Sequence, residues 1–105
     1  MTDNQKSILL KALSFYGAKA QEDIAIEEMA ELTKAILKVR RAGEYGQGDI
    51  KETIANMIEE VADVEICIEY LKLILETTNP NARVRIDNLR DYKINRLVQR
   101  IGEQS

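Results

Sequence analysis

The sequence contains 105 residues, of which 45% are hydrophobic and 31% are charged, and its formal net charge is -3. This balance argues against a disordered chain, and no apolar run approaches the roughly 20 residues that a membrane-spanning helix needs. We therefore expect one domain, residues 1–105, with no membrane partner. No basic stretch is long enough to follow a phosphate backbone, so we also expect no nucleic-acid partner.

The sequence has one cysteine, Cys67, and no histidine. A single cysteine cannot form an intrachain disulfide, and we therefore expect a reducing, cytoplasmic location. The lack of histidine excludes Ser-His-Asp catalysis, Cys-His catalysis and ordinary zinc sites. No glycine-rich phosphate loop of the Walker or GxGxxG type is present either. Any chemistry must therefore depend on carboxylates, lysines and arginines.

The N-terminal part of the chain predicts two helices. Asp3 or Asn4 is a suitable N-cap for a first helix over about residues 5–16, which we expect to end at the first glycine. A second helix is predicted over about residues 19–42, because apolar side chains recur there at helical spacing. Gly43 is expected to end it.

The segment GEYGQGD holds three glycines in seven residues and is the clearest loop. Asp49, followed three residues later by Glu52, resembles a capping box and begins a third helix that runs to about Thr77. The only proline, Pro80, follows this third helix and is expected to prevent its continuation. A fourth helix follows over about residues 82–101. We therefore predict an all-α fold of four helices, in which the second and third form a central antiparallel hairpin.

The second and third helices contain nearly the same acidic sequence motif, AIEEMAEL in residues 25–32 and MIEEVADV in residues 57–64. Each motif places two acidic residues three positions apart on one helix face. Because each residue rises about 1.5 Å along a helix, both acidic pairs are expected at a similar distance from the loop. Four converging carboxylates repel each other unless a divalent cation neutralises them. All-oxygen ligands favour Mg²⁺, Mn²⁺ or Ca²⁺. The predicted metal ligands are Glu28, Glu31, Glu60 and Asp63.

The alternative interpretation is a solvated acidic surface. A single motif of this kind more often pairs with nearby lysines, here Lys34 and Lys38. The chain is then a non-catalytic helical interaction module or a nucleotide-sensing module without turnover. Two copies of the motif at matching height favour the metal site over this alternative.

EEMAE and EVAD, separated by 28 residues, match the EExxE–(12 to 28)–ExxD pattern of the all-α nucleoside triphosphate pyrophosphohydrolases. The chain thus resembles this MazG-like group, which includes the dimeric dUTPases and dCTPases. The segment YGAKAQEDIAIEEMAELTKAILK is similar to the first motif of the family with its lead-in. YKINRLVQRI is similar to the Lys-x-x-Arg C-terminal helix of its short members. Residues 15–101 are covered by the resemblance.

The resemblance implies an enzyme that cleaves a nucleoside triphosphate between the α- and β-phosphates, giving the monophosphate and pyrophosphate. It implies that the four acids named above bind Mg²⁺, with Mn²⁺ as a substitute. A carboxylate must then orient or deprotonate the attacking water, because the chain has no histidine. Glu27 and Glu59, each directly before a predicted ligand, are the candidates for this catalytic role.

Basic and polar residues supply candidates for substrate binding. Lys34 follows the first acidic pair by one helical turn, and Lys93 and Arg96 match the family's basic pair, so all three are expected to contact phosphates. Gln21 precedes the first pair by two turns and is a candidate to read the base through its amide. The aromatic residues 15–16 are candidates to stack on that base.

The third helix also predicts the assembly. Apolar residues surround most of its circumference, so it must be buried on most sides, and the other helices of one small chain cannot cover all of them. We expect a homodimer or homotetramer, in which the hairpin and its copy form a four-helix-bundle core by dimerisation. The resemblance implies the same. The apolar positions are Ile54, Met57, Ile58, Val61, Val64, Ile66, Ile68, Leu71, Leu73, Ile74 and Leu75.

Overall fold

The computed structural model describes residues 1–104, and four α-helices account for most of this range. They are α1 (Asp3–Tyr16), α2 (Ala18–Tyr45), α3 (Ile50–Thr78) and α4 (Ala82–Gln104). No strand occurs among these described residues. The prediction of an all-α, four-helix chain is confirmed.

The start of α1 differs from the predicted one. The N-cap is Thr2, whose hydroxyl accepts a hydrogen bond from the Gln5 amide at 3.1 Å, while the Gln5 side chain accepts one from the Thr2 amide at 2.9 Å. Asp3 or Asn4 as the cap was therefore wrong, because the reciprocal pair with Gln5 satisfies two amides at once. The predicted end at Gly17 is confirmed, since its N–H donates to the Leu13 carbonyl at 2.8 Å.

The end of α2 lies three residues beyond the predicted one. Gly43 lies within the helix, and the chain leaves it at Gly46, which has a left-handed φ of 62°. The Gln47 amide then donates to the Arg41 carbonyl at 3.1 Å. Of the three glycines in this region, Gly43 was the wrong choice for the stop, because the left-handed turn that favours glycine occurs three residues later.

The starts of α3 and α4 follow the predictions more closely. Asp49 Oδ1 accepts hydrogen bonds from the Lys51 and Glu52 amides at 2.8 and 3.4 Å, as expected of an N-cap. The helix α4 begins at Ala82, as predicted, but continues through Gly102 to Gln104. The predicted end at residue 101 was therefore too early.

The helices α2 and α3 form the predicted antiparallel hairpin. Near the loop, a Cβ placed on Gly43 would lie 3.8 Å from Ile50 Cδ1. Further from the loop, Glu28 on α2 meets Glu60 and Asp63 on α3. Residue numbers on α3 thus increase as the residue numbers of their partners on α2 decrease, which is the pattern of antiparallel helices. This arrangement confirms the antiparallel hairpin and brings the two acidic sequence motifs next to each other.

The chain divides into two compact units, Met1–Leu73 and a second that begins at Ile74. The helix α3 runs through this boundary, so the prediction of a single domain over residues 1–105 stays a prediction. In the second unit, the Arg83 guanidinium contacts Glu76 Oε1 at 3.0 and 3.1 Å and links the end of α3 to the start of α4. Among residues 1–104, no helix is both long enough and apolar enough to cross a bilayer.

The buried apolar residues are small. They are Ala25, Ala35, Ala42, Cys67 and Ala82. Within the described part of the chain, no large side chain is fully buried, whereas Ile26 and Ile58 are 68% and 66% exposed. An alanine core buries little apolar area, so it stabilises the fold less than a core of leucines and isoleucines would.

Candidate metal centre

Three of the four predicted ligands come together where α2 meets α3. Glu28, Glu60 and Asp63 each place one carboxylate oxygen so that the three atoms lie within 4.8 Å of one another. We call these three residues the acidic triad. The triad exists because Glu60 and Asp63 are three residues apart on one face of α3, and the antiparallel register brings Glu28 opposite that face.

The environment of the triad is unfavourable for isolated carboxylates. Glu28 and Glu60 are half-buried, and Asp63 is exposed. Glu60 Oε2 is fully buried, and no group among residues 1–104 forms a hydrogen bond to it. Leaving a polar oxygen without a partner in such a place costs free energy, which a bound cation would offset.

The electrostatics of Glu28 reflect this crowding. Burial raises the pKa of the Glu28 carboxyl above its ordinary value, and the negative charges of Asp63 and Glu60 raise it further. A raised pKa beside two other acids is the response expected of a carboxyl group where no cation neutralises the negative charges.

Glu31 does not join the triad. It is exposed, and its Oε1 lies 3.4 Å from Lys34 Nζ, one turn further along α2. Glu31 lies three residues after Glu28, about 4.5 Å closer to the loop along the helix axis. Its role as a fourth ligand stays a prediction, and so does the phosphate-binding role of Lys34, which is engaged with Glu31.

The remaining predicted residues of α2 and α3 lie in contrasting environments. Glu27 and Glu59, the candidate catalytic carboxylates, are exposed beside triad residues. Lys38 is also exposed. Gln21 is buried on α2, so its amide is not presented on the surface. The functions assigned to these residues stay predictions.

The predicted basic pair lies on α4, in the second unit. Lys93 and Arg96 are both exposed. The Arg96 guanidinium carbon lies 6.0 Å from the centre of the Tyr92 ring, at the outer limit of a cation–π contact. Their phosphate-binding role stays a prediction.

A cavity of about 160 Å³ adjoins the triad. Its lining contains two residues that sequence reasoning did not select, Cys67 and Tyr70. They follow Asp63 by four and seven residues, and this helical spacing was the available signal that all three share a face. Burial raises the pKa of the Cys67 thiol, and the charges of Glu28 and Asp63 add to the shift. The lining residues are Ile24, Glu28, Asp63, Ile66, Cys67 and Tyr70.

Comparisons of the chain with protein-family models, with curated proteins and with solved structures give no match. The resemblance to the MazG-like group therefore rests on the motifs quoted above and stays an expectation. The geometry of the acidic triad is independent of that resemblance.

Proposed function

We propose that the chain is a divalent-metal-dependent nucleoside triphosphate pyrophosphohydrolase. The observation that carries the proposal is the acidic triad, in which a buried oxygen of Glu60 has no hydrogen-bond partner among the described residues. The reaction converts a nucleoside triphosphate and water into the monophosphate and pyrophosphate.

The triad fits a hard divalent cation. Its donors are carboxylate oxygens, which suit Mg²⁺ and Mn²⁺ better than softer metals. Glu28, Glu60 and Asp63 would hold the cation, and Glu31 is the proposed fourth ligand. When bound, the cation neutralises phosphate charge and lowers the pKa of a coordinated water.

The chain's own residues have separate tasks in the proposed reaction. The oxygen of water forms a bond to the α-phosphorus, and the bond from that phosphorus to the oxygen bridging to the β-phosphate breaks. Glu27 or Glu59 accepts the proton released by the water, since each is an exposed carboxylate that directly precedes a triad residue in the sequence. Lys34 binds phosphate oxygens and stabilises the departing pyrophosphate.

We also propose that the functional form is a homodimer or homotetramer, as predicted from α3. The support is the exposure of large apolar side chains on both hairpin helices, with Ile26 on α2 and Ile54 and Ile58 on α3 exposed. Burying one such side chain stabilises an assembly by roughly 1.5–3 kcal/mol. A second hairpin packed on the first about a two-fold axis would bury all of them as a four-helix bundle.

The direct test is a panel of nucleoside triphosphates incubated with the purified chain in Mg²⁺, scored for pyrophosphate and monophosphate. We expect both products in equal amounts, and none after chelation of the metal. A panel without pyrophosphate release would contradict the proposal. It would favour the non-catalytic module if Mg²⁺ also left the melting temperature unchanged.

A further inference from the structure

Helix α4 carries an exposed row of apolar side chains. Ile94, Leu97, Val98 and Ile101 recur at the spacing i, i+3, i+4 and i+7, which places them on one face of the helix. They are 52%, 52%, 64% and 65% exposed. We call these four residues the apolar row. The spacing is that of a helix that lays one face into an apolar groove of a partner.

A row of basic side chains runs beside the apolar row. Lys93, Arg96 and Arg100 follow the spacing i, i+3 and i+7, and all three are exposed. Consecutive residues lie about 100° apart around a helix, so Lys93 is only about 40° from Leu97. We call these three residues the basic row. A partner that fits both rows must combine apolar side chains with negative charge.

The chain itself provides negative charge in its first compact unit. Residues Met1–Leu73 contain nine lysines or arginines and fourteen acids, a formal charge of -5. Helix α4 contains six lysines or arginines and three acids, a formal charge of +3. Two α4 helices therefore repel each other, whereas α4 and a Met1–Leu73 unit attract. The charges favour the first unit of a second copy as the partner of α4.

The Met1–Leu73 unit also has an apolar groove, with a volume of about 320 Å³. Its apolar lining includes Leu32 on α2 and Val61, Val64 and Ile68 on α3. Val61 and Ile68 are 38% and 39% exposed, so a partner can reach them. Two acids and one lysine also line the groove, namely Glu65, Glu69 and Lys72. An apolar lining with a surplus of acids matches the two rows of α4.

We propose that the apolar row of α4 in one copy of the chain docks into this groove of a second copy, with the basic row on the acidic side of the groove. The inference extends the proposed assembly, since pairing of the hairpins accounts for the exposed Ile26, Ile54 and Ile58 but not for α4. About a two-fold axis, each copy supplies one α4 and receives one, so the contact occurs twice. The docking uses no residue of the acidic triad and is independent of the proposed reaction.

Cross-linking between singly substituted chains tests the docking directly. A Cys67→Ser background removes the only native thiol. Chains with Leu97→Cys are then mixed with chains with Ile68→Cys and treated with a short bismaleimide. We expect a mixed dimer that contains one chain of each kind. Gln99→Cys, at an exposed position on the opposite side of α4 from Leu97, is the matched control and should give little of this product.

A second pair of variants measures the strength of the contact in the native background. Leu97→Asp should raise the dissociation constant of the assembly by at least about 10-fold, because a leucine contact is lost and a carboxylate is desolvated. Gln99→Asp adds the same charge on the opposite side of α4 and should change it little. Melting temperatures confirm that each variant is folded.

The outcomes separate this inference from the proposed assembly. An assembly that forms without the mixed cross-link, or equal dissociation constants for Leu97→Asp and Gln99→Asp, would overturn the docking and leave the pairing of hairpins in place. Binding of the chain to anionic lipid vesicles through Leu97, in place of the mixed cross-link, would also overturn it. A wild-type mass of one chain would overturn both the docking and the assembly. None of these results depends on pyrophosphate release.

Discussion

Glu28 on α2 and Asp63 on α3 bring carboxylate oxygens within 4.8 Å of each other across the hairpin, and the Asp63 charge is one cause of the raised pKa of Glu28. The two residues are 35 positions apart in the sequence and meet only because the helices are antiparallel. Like charges at this distance destabilise the metal-free fold.

Glu28→Gln should separate catalysis from stability. The amide keeps the shape of the side chain and removes one negative charge, so turnover should fall by more than about 100-fold, since even groups behind metal ligands contribute about 10- to 100-fold. The melting temperature of the metal-free protein should hold or rise. Glu44→Gln, an exposed acid on the same helix, is the control and should change neither quantity. Near-normal turnover in Glu28→Gln would contradict the assignment.

The stability of the metal-free protein should depend on pH through Glu28. Because its pKa is higher in the folded than in the unfolded chain, the unfolded chain loses this proton first as pH rises. The free energy of unfolding therefore decreases as pH rises from the ordinary pKa of Glu28 to its raised pKa. At higher pH this loss of stability stays constant. Denaturant unfolding of wild type and Glu28→Gln measures this. The advantage of the variant should grow with pH across the window, and a constant difference would contradict the assignment.

Divalent cations should stabilise the fold. A ligand that binds only the native state at 100 times its Kd adds about 2.7 kcal/mol, which corresponds to a rise in melting temperature on the order of 10 °C for a chain of this size. Thermal unfolding in Mg²⁺ and in Mn²⁺ measures the effect. Glu60→Gln should abolish most of it. An equal rise in the wild type and in this variant would mean that the cation binds elsewhere.

The apolar face of the hairpin should hold copies of the chain together. Light scattering should give a mass of at least twice the 12.0 kDa of one chain. Ile58→Lys places a charge on the exposed face and should dissociate the assembly with loss of activity. Gln47→Lys, at an exposed loop position, should leave the mass unchanged. An active wild-type species of 12.0 kDa would contradict the proposed assembly.

Helical periodicity was sufficient to predict the hairpin and three members of its acidic cluster. The rise per residue is constant in a helix, so the distance of each acid from the loop could be counted, and Glu28, Glu60 and Asp63 lie together as expected. Counting residues from the loop gives the height of Glu31 along the helix, but it does not give the direction of its side chain. The ion pair between Glu31 and Lys34 depends on the rotamers of both side chains. It also depends on whether the Glu31 carboxylate is held by Lys34 or by the acidic site.

Two further features depended on information that local patterns lack. The glycine-rich segment predicts a turn, but which glycine takes the left-handed conformation depends on the packing around the helix end, and this was Gly46 rather than Gly43. Cys67 and Tyr70 share the face of Asp63 by spacing alone. That they line a cavity depends on how closely α2 approaches, which Ile24 helps to define.

The measurement that tests the central claim most directly is hydrolysis in water labelled with oxygen-18, with mass spectrometry of the products. Attack of water on the α-phosphorus places the label in the nucleoside monophosphate, and this is the predicted result. The pyrophosphate should carry none. Label in pyrophosphate or in orthophosphate, or the absence of any labelled product, would contradict the account.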